Sequence, residues 1–123
     1  MMQGQINAQL EAVLQLRLRG PNGSELEFNA ILDTGYTGSL TISQSAADSL
    51  GLMRRSGGQA MPADGSSRQF DTYTAEVWWG HGWRQVVASA LGDESLVGMK
   101  LPAGHSLRAD VISGGIVLIV LID

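Results

Sequence analysis

Phe28-Asn29-Ala30-Ile31-Leu32-Asp33-Thr34-Gly35-Tyr36-Thr37-Gly38-Ser39-Leu40-Thr41-Ile42 is an apolar run that ends on a carboxylate, passes through a glycine-rich turn and resumes as a short apolar segment. Strand residues before Asp33 hold its carboxylate rigidly, and Gly35 lets the backbone turn closely around it. Backbone N–H groups near Gly35 can bond the carboxylate, and the Thr34 hydroxyl can hydrogen-bond to lock the loop. A carboxylate held this way suits the activation of water. One is not enough, because hydrolysis by this route uses two close carboxylates that share one proton. The plain alternative is an Asp that ends a strand in an Asx-turn, with Gly at positive φ. Three residues alone do not choose between the two.

Upstream, Leu14, Leu16 and Leu18 alternate with Gln15, Arg17 and Arg19, the period of a half-buried strand. Gly20-Pro21-Asn22-Gly23 turns the chain into a second alternating run, with Leu26, Phe28, Ala30 and Leu32 on one face. The two form a β-hairpin that ends at Asp33. Downstream, Ser43 is placed as the N-cap of a short helix carrying Ala46, Ala47 and Leu50, with Gly51 as its stop. Arg54 to Ser67 reads as a mobile hairpin with its turn at Asp64-Gly65-Ser66-Ser67.

Tyr73 to Trp79 and Trp83 to Ala88 form a further hairpin around Gly80-His81-Gly82. Leu96-Val97-Gly98 precedes an expected helical turn from Pro102 to His105. Leu107 to Ile112 and Ile116 to Ile122 close the chain as a last hairpin. The terminal run is apolar on both faces, so it reads either as a central core strand or as an edge strand covered in part by another subunit.

These elements make one all-β domain over residues 1–123 with one short helix, a size that closes a single core. Apolar residues are 44% of the chain and charged residues 16%, as in a globular protein. The net charge of −4 and the scatter of Lys and Arg argue against a nucleic-acid surface. No cysteine is present, which removes disulfides, thiolate nucleophiles and Cys-based metal sites. The first residues lack the basic and apolar regions of a secretory signal, and the longest apolar run is shorter than the ~20 residues of a spanning helix. A cytoplasmic location without membrane contact is the expectation.

The stretch from Phe28 to Ile42 resembles the active-site loop of retropepsin-like aspartic peptidases, most of all the single-domain bacterial members with Asp-Thr-Gly-aromatic-Thr-Gly. The resemblance extends over about residues 11–122. A helix ending Leu50-Gly51-Leu52 follows the loop, a Gly-tipped hairpin at Asp64-Gly65 falls where the flap belongs, and Leu96-Val97-Gly98 matches the element that packs behind the loop. Leu107-Arg108-Ala109-Asp110 with Gly114-Gly115 is similar to the closing hairpin of that group.

The resemblance implies a closed acid-protease barrel, active as a two-fold homodimer, that cleaves peptide or protein substrates without a cofactor or metal. It gives Asp33 as the catalytic aspartate, Thr34 as the threonine that crosses the dimer axis and Gly35 as a substrate contact, with Tyr36, Thr37 and Gly38 completing the loop. Ala63, Asp64, Gly65 and Ser66 become the flap tip, and Leu96, Val97 and Gly98 the supporting element. The motif occurs once in this chain, so a second copy supplies the other half. Two departures stand out. Met99-Lys100 replaces the Arg-Asp or Arg-Asn of retroviral members, and Tyr36 replaces a small residue, which bears on the inner subsites.

A dimeric module that binds peptides without cutting them is the alternative with the same fold, supported by the polar flap and Tyr36. A phosphoryl-accepting Asp-Lys-Thr-Gly site fails for want of the lysine. His81 and His105 read as surface histidines with no third ligand at metal spacing. Trp78, Trp79 and Trp83 cluster around one turn, as groove paving or a packed corner. Asp71, Glu76, Asp93 and Glu94 read as solvated charges.

Overall fold

The computed structural model describes residues 1–60 and 68–123. Among them are strands β1 (Met2–Ile6), β2 (Ala12–Arg19), β3 (Glu25–Leu32) and β4 (Leu40–Ile42), then helix α1 (Gln44–Ser49). Strands β5 (Met53–Ala60), β6 (Arg68–Trp78), β7 (Trp83–Ala90), β8 (Leu96–Val97), β9 (His105–Ala109) and β10 (Ile116–Leu121) follow. All belong to one sheet in the order β5-β6-β7-β4-β8-β3-β2-β1-β10-β9. A further pairing of β6 with β2, Leu18 opposite Val77 and Arg19 opposite Glu76, brings the ladder back on itself.

The alternation in β2 and β3 becomes a hairpin with Leu16 opposite Phe28. Leu14, Leu16 and Leu18 are buried, while Gln15 between them is exposed. At its turn the Gly23 N–H donates to the Gly20 carbonyl, with Gly23 at φ 83°, a conformation that disfavours a Cβ. The Ser43 hydroxyl accepts the Ala46 N–H at 3.1 Å and caps α1, worth about 1 kcal/mol. Ala47 and Leu50 turn into the core, which also takes Leu40, Ile42, Val77, Trp79, Val97, Leu101, Val117 and Ile119.

Where β2 meets β6, Arg19 makes two bonds of 3.2 Å to the Glu76 carboxylate and lies 4.1 Å from the centroid of the Trp83 ring. Arg17 sits 5.4 Å from both Trp78 and Trp83, whose rings meet edge to face at 5.5 Å. The tryptophans are therefore divided. Trp79 is a core residue, Trp78 and Trp83 pack edge to face with two arginine guanidinium groups beside them, and Trp78 also lines an open groove of about 290 Å³ with Gln15, Arg17 and Glu27.

The structure differs from the sequence reading in four places. An N-terminal strand, β1, pairs with both β2 and β10. Pro102 to His105 is a reverse turn instead of a helical one. The His105 N–H donates to the Pro102 carbonyl at 2.9 Å, and Gly104 has φ 81°, outside helical space. Strand β9 stops at Ala109, short of Ile112. The terminal strand lies between β1 and β9, with Val117 and Ile119 buried and Ile116 and Val120 exposed. Within one chain its second face is open, and it lies beside the edge strand β9 instead of at the edge. The expected flap residues Ala63, Asp64, Gly65 and Ser66 lie outside the described residues.

Candidate active site

Strand β8 is two residues long and fills the gap between β3 and β4, the strands on either side of the Asp33 loop. It runs parallel to β3, with Leu32 opposite Val97, and antiparallel to β4, with Leu40 opposite Val97. The Asp33 N–H donates to the Val97 carbonyl and the Gly98 N–H to the Ser39 carbonyl, both at 2.9 Å. Buried Thr41 fastens the other side of β8. Its hydroxyl accepts the Leu96 N–H at 2.9 Å and donates to the Glu94 carbonyl at 3.4 Å. The loop thus leaves and re-enters the core through one short, buried strand, which fixes both of its ends.

Within the loop, the Gly35 N–H donates to Asp33 Oδ1 at 2.9 Å, and the Tyr36 N–H donates to the Asp33 carbonyl at 3.1 Å. This is the Asx-turn of the plain reading, made by the same residue that carries the catalytic one. The second oxygen, Oδ2, has no hydrogen-bond partner among the described residues. Asp33 is half-buried, and Thr34, Gly35 and Thr37 are exposed. The Thr34 hydroxyl makes no bond within the chain among the described residues, so it does not lock the loop from inside.

Tyr36 is half-buried within the loop. Its ring lies against Gly38 and Gly98, so close that a Cβ on Gly38 would stand 2.6 Å from Tyr36 Cε1 and one on Gly98 2.7 Å from Cδ2. Its hydroxyl end lies toward the Ser89 side chain on β7. Burial pushes the phenol above its ordinary pKa of 10.0, and the nearby Ser89 hydroxyl opposes part of that rise. Leu96 is half-buried, and Val97 and Gly98 are buried beneath the loop.

The register sets what shares an end of the sheet with Asp33. Ile116, Gln5, Val13, Ile31 and Leu96 are successive partners across β10, β1, β2, β3 and β8. Beyond this row lie the Asp33 loop, the β1–β2 loop and the β9–β10 loop, the outer two about 14 Å apart by strand spacing. These loops expose Leu10 at 55%, Val111 at 60% and Ile112 at 67%. Leu10 has φ 62°, unusual for a branched apolar residue. Asn7 builds that loop: its Oδ1 accepts the Gln9 and Glu11 N–H groups, and its carbonyl accepts that of Leu10.

A groove of about 1010 Å³ lies beside the site and does not include Asp33. Gln3, Gln5, Gln15 and Asn29 line it from three adjacent strands, with Asp93 and Glu94 at its rim. His81 is exposed in the β6–β7 turn. His105 is half-buried, edge-on to Trp79 at 6.2 Å. No group of three or more His, Asp or Glu among the described residues could hold a metal ion, and no helix there is long and apolar enough to cross a membrane.

No protein-family model matches the chain, and no curated protein matches it. Among solved structures, the chain is similar to the crystal structure of a retropepsin-like aspartic protease from Rickettsia conorii. The match has a TM-score of 0.62 at 16% sequence identity and covers 99% of this chain and 92% of that one. At that identity the likeness is one of fold. This chain, mostly β-sheet with one short helix, has the fold of a retropepsin-like aspartic protease.

Proposed function

We propose that the chain is an aspartic endopeptidase that works as a homodimer, each copy contributing Asp33. The observation that carries the reading is the setting of Asp33, on a retropepsin-like fold, half-buried at the start of a loop whose Thr34 and Gly35 are exposed. One carboxylate oxygen is tied by the Gly35 N–H, and the other is open to meet a second carboxylate. Two carboxylates at contact distance cannot both ionise, so the pair holds one proton. The ionised Asp33 takes a proton from water as the water oxygen bonds to the peptide carbonyl carbon. The partner subunit's Asp33 gives its proton to the carbonyl oxygen. Proton transfer to the amide nitrogen then accompanies C–N cleavage, releasing an acid and an amine and returning one proton to the pair.

Dimerisation through the Asp33 end is supported by the apolar residues it exposes: Leu10, Val111, Ile112 and, at the start of β10, Ile116. Leu10 is held outward at a backbone angle costing about 1 kcal/mol or more, the kind of strain that persists where a surface is used. Exposed Thr34, next to Asp33 and with no bond of its hydroxyl within the chain among the described residues, is compatible with a contact across a two-fold axis. The closed barrel expected from the sequence is supported by the return of the ladder from β2 to β6.

The test compares wild type with Asp33→Asn on a peptide library between about pH 3 and 8. Asn keeps the Gly35 bond and the fold but cannot take a proton from water. Cleavage should fall by at least about a thousandfold with the melting temperature little changed. Cleavage retained by a folded Asp33→Asn protein would overturn the reading. A wild-type dimer that binds peptides and never cuts them would favour the silent binding module instead.

A further inference from the structure

We infer that Tyr36 is a positioning residue of the Asp33 loop: its ring, wedged against Gly38 and Gly98, braces the loop where its own backbone bonds leave it unsupported. The inference rests on the peptidase reading for its kinetic part only.

The backbone bonds that anchor the loop run to one flank. Asp33 bonds Val97, Met99 bonds the Tyr36 carbonyl at 2.8 Å, Lys100 bonds the Gly38 carbonyl at 3.1 Å, and Gly98 bonds Ser39. All of these partners lie in residues 97–100. On the opposite flank stands β7, whose Ala88, Ser89 and Ala90 pair in parallel with Leu40, Thr41 and Ile42 of β4. The Tyr36 ring packs on Gly38 and Gly98 with its hydroxyl end toward Ser89 of that strand. Both glycines under it are required, since a Cβ at either would enter the ring, and at Gly98 it would also strike the Gly38 carbonyl. The sequence Tyr-Thr-Gly with a Gly at 98 is thus one packing unit in which an aromatic ring takes the volume of two missing side chains. The half-buried phenol packs on these glycines and makes no hydrogen bond to Asp33 Oδ2.

This assigns Tyr36 a role different from lining a substrate pocket, and the two roles separate experimentally. A wall residue mainly changes KM and substrate preference. A residue that fixes the height and tilt of a catalytic carboxylate changes kcat, because a misplacement of about 1 Å can cost on the order of a hundredfold in rate.

The experiment uses the full chain with Tyr36→Phe, Tyr36→Leu and Ser89→Ala. The first readout needs no turnover: amide hydrogen exchange at Asp33, Gly35, Tyr36 and Gly98, each bonded within or to the loop, with the buried amides of β2 as an internal reference. Tyr36→Leu should speed exchange at the loop amides by at least about tenfold while leaving the reference unchanged, and Tyr36→Phe, which keeps the ring, should restore most of the protection. The second readout is the split of kinetic constants. Tyr36→Leu should lower kcat by roughly tenfold to a hundredfold with KM within about twofold. Tyr36→Phe and Ser89→Ala should each lower kcat by a few-fold at most, and the double variant no further than either alone.

Unchanged loop exchange in Tyr36→Leu would overturn the inference, as would a raised KM with kcat intact. Should wild type fail to cleave any peptide, the peptidase reading falls, and the exchange comparison still decides the role of Tyr36. If Tyr36→Leu does not fold, Tyr36→Met, which also removes the ring, takes its place with the same two readouts, and unchanged loop exchange or a raised KM with kcat intact would again overturn the inference.

Discussion

Asp33 and Tyr36 are separated by two residues and meet opposite demands, one accessible to substrate and water, the other folded under the loop that carries the first. The turn accommodates both: the Tyr36 N–H closes on the Asp33 carbonyl, the Asp33 carboxylate takes the Gly35 N–H, and the Tyr36 ring packs on Gly38 and Gly98. Burial of the Tyr36 phenol has a consequence for stability. The folded state binds the phenolic proton more tightly than the unfolded chain does, since burial disfavours the phenolate more than the nearby Ser89 hydroxyl favours it. The associated stability is complete below the ordinary value of 10.0 and is lost as pH rises through the higher folded value. Denaturant midpoints measured from about pH 8 to 11 should therefore fall more steeply for wild type than for Tyr36→Phe above pH 10. Parallel curves would count against the burial of this phenol. Asp33, Thr34 and Gly35 were legible in the sequence as a unit. The direction of the Tyr36 ring was not, because it depends on Gly98, distant in sequence, and on Ser89, a residue with no motif of its own.

At the scale of elements, the hairpins were readable wherever large apolar residues alternate with polar ones, as in Leu14, Leu16 and Leu18. Strand β1 has the same period in Met2, Gly4 and Ile6, but a glycine at its centre removes the middle apolar mark. That glycine is structural. A Cβ on Gly4 would collide with the Val13 carbonyl and stand 2.8 Å from Leu14 Cδ2, so β1 could not pair closely with β2. Gly4→Ala should cost about 1–3 kcal/mol, read as a lower denaturant midpoint. A change under about 0.5 kcal/mol would show that β1 contributes little to the fold. The turn at Pro102 was misread because proline opens helices and reverse turns alike, and Gly104 makes the difference. In β10 the composition is apolar throughout, so the buried pair Val117 and Ile119 could not be told from Ile116 and Val120 without knowing what lies above each face.

At the scale of the molecule, one end of the sheet gathers the Asp33 loop with exposed Leu10, Val111 and Ile112, and a single chain leaves these surfaces uncovered. On the dimer reading, Ile112→Glu should be nearly silent in the folding of one chain, within about 0.5 kcal/mol, yet weaken self-association by at least tenfold because a carboxylate would be desolvated at the interface. Analytical ultracentrifugation of both proteins checks this, and equal association would remove Ile112 from the interface. Neither the interface nor its symmetry can be read from one copy of the sequence, whereas the presence of only one Asp-Thr-Gly already requires a partner for two-carboxylate chemistry. The claim that the two halves come from two copies is tested most directly by refolding wild type and Asp33→Asn together in varied ratios and measuring peptide cleavage per total protein. If each active centre needs two Asp33 side chains, mixed dimers are inactive and activity follows the square of the wild-type fraction, so an equal mixture retains about one quarter. An equal mixture that retains about one half, with activity proportional to the wild-type fraction throughout, would contradict a shared centre.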